Sequence, residues 1–353
     1  AGIDRTKVKK VQTGGPDGDL GSNEIILSED VTMVMSDKSG VIFDPEGLDR
    51  EELMRLAVNR DTIAEFDQSK LSSGGMYVSA DATNVTLPDG TFVENGTKFQ
   101  DEFLFHPLAK AQLFVPCGGR PGVINMKNVH RLIGDKIEDH QFQIIVEGAN
   151  LFITEDARAV LEDAGVILYK DASTNKGGVT SSSLEVLASL CMNDDEHKSL
   201  MQTEVKEKAN ARAVTTSPFY DKYVDEIIDI VEENARLEFE AVHKYAEATG
   251  MHRCKTTDKL SDDINTLNTA CQNSELWNND KVRHKVLSRA IPKALQDELG
   301  LDTIIERLPD PYLKAVFGYY IASRFVYERG MEIEGFDYLT AFYEHMASFS
   351  GSD

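Results

Sequence analysis

The sequence lacks any cysteine arrangement that would hold a metal or a disulfide framework. Its four cysteines form no CxxC pair, and none lies at zinc-finger spacing from a histidine pair (Cys117, Cys191, Cys254 and Cys271). We therefore expect reduced thiols in a reducing compartment and no metal site. His252 and Cys254 lie close in the chain, but two candidate ligands without a second pair do not make a metal site, and we interpret both as surface residues.

Long apolar runs are also absent. No run approaches the roughly 18 residues that a membrane span needs, and the first residues, AGIDRTKVKK, lack the apolar core of a secretory signal. We therefore expect a protein of the cytoplasm or the mitochondrial matrix, without a membrane partner. The chain starts without methionine, and we expect that it begins in the middle of a longer protein.

The sequence has few basic residues for its number of acidic ones. The chain has 37 Lys and Arg against 60 Asp and Glu, so its formal charge is −23, and the acids are spread along the chain. Such a field repels nucleic acid and anionic membranes, which we exclude as partners. We interpret the charge as a solubility feature of a homo-oligomer.

The length and texture of the chain predict two domains. At 353 residues it exceeds the usual size of about 100 to 200 residues per domain. Up to about residue 190, short β-branched runs alternate with amphipathic stretches and glycine turns, which is typical of an α/β, doubly wound (Rossmann-like) fold with a mostly parallel sheet. Helical periodicity follows. We therefore predict a dinucleotide-binding domain over residues 1–200 and a helical C-terminal region over residues 201–353.

Three helices and one loop follow from local patterns. Asp49, with Glu52 three residues later, predicts a helix start, and Asp310-Pro311 predicts another. The segment 256–280 is polar and predicts a loop. Apolar residues at helical spacing predict two core stripes, namely Val224, Ile227, Ile228, Val231, Ala235, Phe239 and Val242 in the first and Leu313, Phe317, Tyr320, Ile321 and Phe325 in the second.

Two short apolar segments are each followed by a polar turn that contains asparagine. Residues 144–146 (IIV) end at Glu147-Gly148-Ala149-Asn150, and residues 166–169 (VILY) end at a loop that reaches Asn175 and Gly177-Gly178. In a parallel sheet, ligands lie just beyond the carboxyl ends of the strands. Both turns therefore predict one ligand crevice at the same edge of the sheet.

A glycine-rich loop near the start predicts a phosphate site. A short strand over residues 8–11 precedes Gly14, Gly15, Gly18 and Gly21, and a helix that contains Ser22 follows. Glycines let the backbone approach a pyrophosphate, whose charge meets the free N–H groups at the helix start. The spacing departs from GxGxxG, and glycine turns are common between strand and helix, so a plain turn stays the alternative.

The next strand strengthens the case for a dinucleotide. Residues 31–35 form a strand candidate that ends at Ser36-Asp37, and Asp37 lies 22 positions after Gly15. An acid about 20 residues after the loop is where a ribose 2′-hydroxyl is bound, and its charge favours NAD over NADP. Lys38 and Ser39 soften that preference, and a solvated aspartate at a strand end is the alternative.

Five stretches together resemble the glutamate dehydrogenases. They are the glycine loop, SDKSGVIFDPEGLD, LFVPCGGRPGVIN, IIVEGANLFIT and NKGGVTSSSLE. The long VQTGGPDGDLGSNEI loop resembles the large-subunit, NAD-specific enzymes of fungi and other eukaryotes. The resemblance implies oxidative deamination of L-glutamate to 2-oxoglutarate and ammonia, with NAD as the cofactor. It also implies that Asn150 and Asn175 lie near the nicotinamide and that Val179 and Ser182 line the pocket for the substrate side chain.

The sequence departs from this family in three ways. Lys176 stands where the smaller enzymes have alanine, and Cys117-Gly118-Gly119-Arg120 replaces an alanine-rich stretch. The separate catalytic domain, with lysines and an aspartate, is absent before Val8, so we expect this chain to supply the cofactor-binding half and no catalytic residue. Two other functions stay open: a leucine, valine or phenylalanine dehydrogenase, and a non-catalytic nucleotide-binding regulatory module.

Overall fold

The computed structural model describes residues 4–87, 90–208, 211–330 and 335–350. The chain forms two compact units. The first runs to Asn175 and includes His252–Cys254; the second comprises Lys176–Met251 and the chain from Lys255 onward. The boundary predicted near residue 200 falls within the second unit and stays a prediction.

The strands form one large sheet and two small hairpins. In chain order the strands are β1 (Lys9–Thr13), β2 (Val31–Asp37), β3 (Gly40–Phe43), β4 (Met76–Ser79), β5 (Thr83–Thr86), β6 (Phe92–Asn95), β7 (Ala111–Pro116), β8 (Phe142–Val146), β9 (Ile167–Tyr169), β10 (Glu204–Lys208) and β11 (Ala211–Thr215). The seven-stranded sheet has the order β4-β3-β2-β1-β7-β8-β9. From β2 to β9 neighbouring strands are parallel, and β3 and β4 add an antiparallel edge. The predicted α/β class with a mostly parallel sheet is confirmed.

The helices divide between the two units. In chain order they are α1 (Asp19–Leu27), α2 (Arg50–Asn59), α3 (Gly96–Phe103), α4 (Glu155–Asp163), α5 (Asp171–Thr174), α6 (Lys176–Cys191), α7 (Asp194–Leu200), α8 (Pro218–Thr249), α9 (Arg253–Gln272), α10 (Asp280–Ala290), α11 (Lys293–Leu299), α12 (Leu301–Arg307), α13 (Asp310–Phe325) and α14 (Gly335–Ser350). A π-helical turn, Val326–Gly330, continues α13. The second unit is therefore helical apart from the β10–β11 hairpin.

Both faces of the large sheet are buried. Successive residues of a strand point to opposite faces. Val34 belongs to one apolar cluster, with Phe114 and Ile145, whereas Met35 belongs to another, with Ile42. Such two-sided burial explains why the strands read as continuous apolar runs in the sequence.

Helix caps confirm the predicted helix starts. The Asp49 carboxylate accepts a hydrogen bond from the N–H of Glu52 (2.8 Å) and begins α2. α13 begins at Asp310 with proline in its first turn. In α13 all of the predicted core residues are buried except Tyr320, which is half-buried.

The predicted core stripe of α8 is largely wrong. Ile228 and Phe239 are 49% and 48% exposed, and of the predicted residues only Val242 is fully buried. The buried face instead carries Phe219, Tyr223, Glu238, Ala241, Val242 and Ala246. These residues, with a carboxylate and two alanines among them, do not form a recognisable apolar pattern in the sequence. The predicted stripe lies on a side of the helix that is half-exposed.

The predicted loop over residues 256–280 is also wrong, because α9 occupies most of it. Polar residues dominate the segment, but α9 also carries five buried apolar residues, of which the last four recur every three or four positions along one face: Cys254, Leu260, Ile264, Leu267 and Cys271. A narrow apolar stripe suffices for a helix that is buried on one side.

All four cysteines are free, as predicted. Burial raises the pKa of Cys117 to about 12 and the pKa values of Cys191 and Cys271 to about 11, so these thiols are protonated near neutral pH. Cys254 is 2% exposed and joins a core cluster of the sheet, so its prediction as a surface residue is wrong. The described residues contain no group of three or more His, Cys, Asp or Glu side chains that could hold a metal ion. Over the same residues, no helix is long and apolar enough to cross a membrane.

Candidate cofactor site

The glycine loop lies where the strand order of the sheet reverses. β1 pairs with β2 on one side and with β7 on the other, and ligands of doubly wound folds bind outside the strand ends at such a point. Gly14 follows β1 with φ +85°, a left-handed conformation that favours glycine. A Cβ atom there would overlap the backbone of Cys117 and Gly118, which follow β7. The two loops therefore touch through their backbones.

The other glycines permit an equally close turn. A Cβ at Gly21 would overlap the carbonyl oxygen of Gly15, and one at Gly15 would overlap the Asp37 carboxylate. Gly18 is the N-cap of α1, and a Cβ there would lie at ordinary van der Waals distance from the Gly15 carbonyl oxygen (3.6 Å). Ser22 is fully buried, and its hydroxyl donates to the carbonyl oxygen of Asp19 (3.0 Å). The structure thus brings the five predicted loop residues into one turn, with the Ser22 hydroxyl held inside the helix.

Gln12 fixes this turn, and the sequence analysis missed it. The side chain is fully buried on β1, and its amide nitrogen donates to the carbonyl oxygens of Gly14 (3.0 Å) and Gly21 (3.1 Å). One amide thus joins both ends of the loop. A lone glutamine in a buried strand is the signal that would have found it, because a buried amide needs hydrogen-bond partners.

The start of α1 fits a phosphate group. The N–H groups of its first turn have no i−4 carbonyl partner, and no side chain caps Gly18. The helix dipole adds partial positive charge there. Two carboxylates of the loop would oppose an anion, but each is paired: Asp17 with Lys38 (2.9 Å) and Asp19 with Arg60 (2.9 Å). The glycine cradle and these free N–H groups fit the pyrophosphate of a dinucleotide.

Asp37 ends β2 beside the loop and is 6% exposed. Its Oδ1 accepts hydrogen bonds from the backbone N–H (2.8 Å) and the hydroxyl (2.5 Å) of Ser39, and its Oδ2 accepts one from the N–H of Ile63 (2.8 Å). A carboxylate has about four lone-pair sites. Asp37 therefore keeps about one free acceptor position next to Gly15.

The two predicted asparagines are in direct contact. The side-chain nitrogen of Asn175 donates to the Asn150 side-chain oxygen (2.6 Å) and to the carbonyl oxygen of Gly148 (3.0 Å). The carboxyl ends of β8 and β9 meet at one edge because the strands are parallel. The two turns therefore lie at the same edge of the sheet, as predicted, and the ligand crevice between them stays a prediction.

A buried ion network holds that edge together, and the sequence analysis did not identify it. Arg158 of α4 bonds the Glu147 carboxylate through Nε (2.7 Å) and Nη2 (3.2 Å), and it bonds Asp171 through Nη2 (3.0 Å). All three side chains are almost fully buried. Asp171 in turn accepts from the backbone N–H of Leu151 (2.7 Å). The network ties the turn after β8 to the turn after β9 and so positions both asparagines.

Val179 and Ser182 lie on α6, in the second unit. The motif Gly177-Gly178 is part of the helix, where the sequence had predicted a loop. Val179 is 70% exposed, and the Ser182 hydroxyl donates to the carbonyl oxygen of Gly178 (2.9 Å). The two residues are three positions apart and share one side of the first turns of α6.

Lys176, the first residue of α6, makes a strong ion pair. Its Nζ lies 2.6 Å and 2.7 Å from the two carboxylate oxygens of Glu238, a residue of α8 that is 2% exposed. The Tyr327 hydroxyl donates to the same carboxylate (3.0 Å). Burial raises the pKa of Tyr327, so this phenol stays a donor near neutral pH. The ion pair fixes the start of the helix that carries Val179 and Ser182.

The chain resembles known proteins over nearly its whole length. It is 50% identical over 350 residues to the NAD-specific glutamate dehydrogenase of Neurospora crassa, which covers 99% of this chain and 32% of that protein. It is 48% identical over 340 residues to glutamate dehydrogenase 2 of Dictyostelium discoideum (96% and 31%). It is 47% identical over 346 residues to a probable NAD-specific glutamate dehydrogenase of Schizosaccharomyces pombe (98% and 30%). The chain thus spans about a third of the length of these curated relatives.

A model of the glutamate/leucine/phenylalanine/valine dehydrogenases matches residues 1–250. That match covers more than half of the chain and includes the glycine loop, Asp37 and both asparagines. The chain therefore belongs to the glutamate/leucine/phenylalanine/valine dehydrogenase family.

Proposed function

We propose that this chain supplies the NAD-binding half of an NAD-dependent glutamate dehydrogenase, which oxidatively deaminates L-glutamate to 2-oxoglutarate and ammonia. One observation carries the proposal: the glycine loop and Asp37 meet at the switch point of the sheet, beside an uncapped helix start. Relatives that are named NAD-specific glutamate dehydrogenases support the choice of cofactor and substrate.

In this proposal the loop holds the pyrophosphate and Asp37 holds the adenosine ribose. The free N–H groups at the start of α1 donate to the phosphate oxygens. The remaining acceptor position of Asp37 takes one ribose hydroxyl, and its negative charge disfavours the 2′-phosphate of NADP. Lys38 does not compensate that repulsion, because its ammonium group is engaged by Asp17.

Asn150 and Asn175 orient the nicotinamide carboxamide, which needs both a donor and an acceptor. When NAD is bound, it accepts the hydride from the substrate. Val179 and Ser182 contact the substrate side chain from α6, where the Ser182 hydroxyl turns from Gly178 to the distal carboxylate of glutamate. The proton-transfer groups, lysines and an aspartate, come from a part of the protein outside this chain.

Steady-state kinetics of the full-length protein test this function. We expect reduction of NAD with L-glutamate, and a preference for glutamate over leucine and for NAD over NADP of at least about tenfold each. Ser182→Ala raises KM for glutamate and leaves leucine turnover unchanged. Ser181→Ala is the matched control, because the Ser181 hydroxyl also donates to Gly178 (3.0 Å). Absence of NAD reduction with glutamate, or faster turnover of leucine, refutes the proposal.

A further inference from the structure

The second unit contains a cavity of about 400 Å³, and Val179 is the one lining residue to which the proposed reaction gives a role. It lies between α6, α8, α10 and α13 and extends along α6 from Val179 to Leu187. Its volume falls within the range of about 300 to 1,000 Å³ that small-molecule sites occupy. Size and enclosure between helices therefore suit a small organic ligand.

The walls are apolar and aromatic. Leu184, Leu187, Ile230 and Val316 supply the aliphatic surface, and four tyrosines add ring surface: Tyr312, Tyr319, Tyr320 and Tyr327. The hydroxyl of Tyr327 is engaged by Glu238, so mainly its ring is available. Flat, rigid tyrosine rings next to aliphatic side chains can accommodate the planar apolar part of a ligand.

Two arginines give the cavity its charge. Arg324 donates to the Asn234 side-chain oxygen (2.8 Å) and stacks over Tyr320 (5.5 Å). Arg289 donates to the carbonyl oxygen of Ser348 (3.2 Å) and stacks over Phe349 (4.9 Å). These contacts orient each guanidinium, and most of its five N–H donors have no partner among the described residues.

Neither guanidinium forms an ion pair with a carboxylate within the described part of the chain. The acid that senses Arg324 through space, Glu233, is itself held by Arg236 through two hydrogen bonds (2.9 Å and 2.7 Å). Both arginines also border Glu328 and Glu344, but these carboxylates pair with His345 and Arg329 respectively. Arginine forks bind carboxylate and phosphate groups in a bidentate way.

We propose that this cavity binds a small organic anion, with its carboxylate or phosphate at Arg289 and Arg324 and its planar apolar body among the tyrosines. A neutral apolar ligand fits less well, because it would desolvate the guanidinium groups without replacing their hydrogen bonds. The site goes beyond the proposed dehydrogenase function and does not depend on it.

Titration calorimetry on the full-length protein tests the site with three probes of similar shape: 4-phenylbutyrate, phenyl phosphate and neutral 4-phenylbutanol. Each titration is run without and with 2-oxoglutarate, and the cavity variants assign the binding to this site in both conditions. We expect saturable binding of at least one anion, with affinity about tenfold lower for the neutral alcohol. The two anions distinguish a carboxylate site from a phosphate site.

Variants locate the binding. Arg324→Gln and Arg289→Gln each weaken the anion about tenfold, and Val316→Phe, which fills the cavity, abolishes binding while thermal melting confirms a folded protein. Arg283→Gln, on the same helix as Arg289, is the matched control and leaves the affinity unchanged, because Arg283 pairs with Asp280 outside the cavity. No saturable binding at millimolar concentrations, or binding that is insensitive to both cavity arginines and to Val316→Phe, overturns the proposal. Because the readout is binding, failure of the proposed dehydrogenase activity would not affect it.

Discussion

At the scale of single residues, Gln12 determines how well the glycine loop is organised for a cofactor. Its amide holds the carbonyl oxygens of Gly14 and Gly21 at both ends of the turn. We expect Gln12→Leu to weaken NAD binding about tenfold and to lower the free energy of unfolding by about 1–3 kcal/mol, since the carbonyl oxygens of Gly14 and Gly21 each lose a side-chain donor. Calorimetry with NAD and urea unfolding measure the two effects.

A matched variant exists on the neighbouring strand. Gln112 of β7 is exposed, and its side-chain oxygen accepts from the N–H of Lys9 (2.7 Å), away from the glycine loop. Gln112→Leu should leave the Kd for NAD unchanged. An equal loss of affinity in both variants would show that the effect is not specific to the loop.

Glu52 makes the stability of the sheet unit depend on pH. The Arg55 guanidinium, together with the backbone N–H of Asp67, lowers the pKa of this carboxyl from 4.5 to about 2. A lowered folded-state pKa means that the stabilisation is complete above pH 4.5 and is lost as the pH falls from there to about 2. Arg55 is 44% exposed, so solvent screens the pair.

We therefore expect Glu52→Gln to destabilise the protein by roughly 1–2 kcal/mol at neutral pH, with a smaller difference from the wild type near pH 3. Urea unfolding at both pH values gives the comparison. Glu51→Gln changes an exposed neighbour in the same helical turn and serves as the control. A destabilisation by Glu52→Gln that is equal at both pH values would contradict this account.

At the scale of elements, the ion pair between Lys176 and Glu238 fixes the start of α6 to α8. Removal of Lys176 leaves a buried carboxylate whose remaining side-chain donor among the described residues is the Tyr327 hydroxyl. Such losses cost about 2 kcal/mol or more when the lysine is partly exposed. We expect Lys176→Met to lower the free energy of unfolding by that amount. It should also raise KM for glutamate in the full-length enzyme, because Val179 and Ser182 follow on the same helix.

The controls separate charge from position. Lys176→Arg keeps the positive charge and should recover most of the KM, whereas the Kd for NAD should not change in either variant. In the double variant Lys176→Met/Glu238→Gln, no charge remains buried, so the combined loss should be smaller than the sum of the single losses. Additive losses with an unchanged KM would argue against a positioning role.

Strand ends were predictable from the sequence, whereas contacts between elements were not. The ends of β2, β8 and β9 are encoded locally, as apolar runs that stop at polar residues. The shared edge of the turns that carry Asn150 and Asn175 followed from the parallel direction of the strands, whereas the hydrogen bond between the two side chains is seen only in the structure. Hydrogen bonds between side chains of different elements leave no such pattern in the sequence. Arg158 with Glu147 and Gln12 with Gly21 join residues of different elements, so only the three-dimensional arrangement identifies them.

In the helical unit, the sequence pattern gave two wrong predictions. In α8 the apolar period follows a half-exposed side, because Glu238 and the alanines occupy part of the buried one. In α9 five buried apolar residues are hidden among polar ones, and composition suggested a loop. Composition therefore gave a wrong prediction for α9, which is buried on one side only. The apolar pattern gave a wrong prediction for α8, where the ion pair of Glu238 takes the place of an apolar contact on the buried face.

At the scale of the whole molecule, the formal charge of −23 opposes folding through self-repulsion. Screening by salt weakens attractions and repulsions alike, but exposed ion pairs contribute only about 0–1 kcal/mol each, and the excess of acids is large. We therefore expect added KCl to raise the urea concentration at which the protein unfolds at neutral pH. Asp229→Asn/Glu232→Gln removes two exposed charges from α8 and should make that increase smaller. A midpoint that falls with added salt would mean that attractive pairs outweigh the net charge.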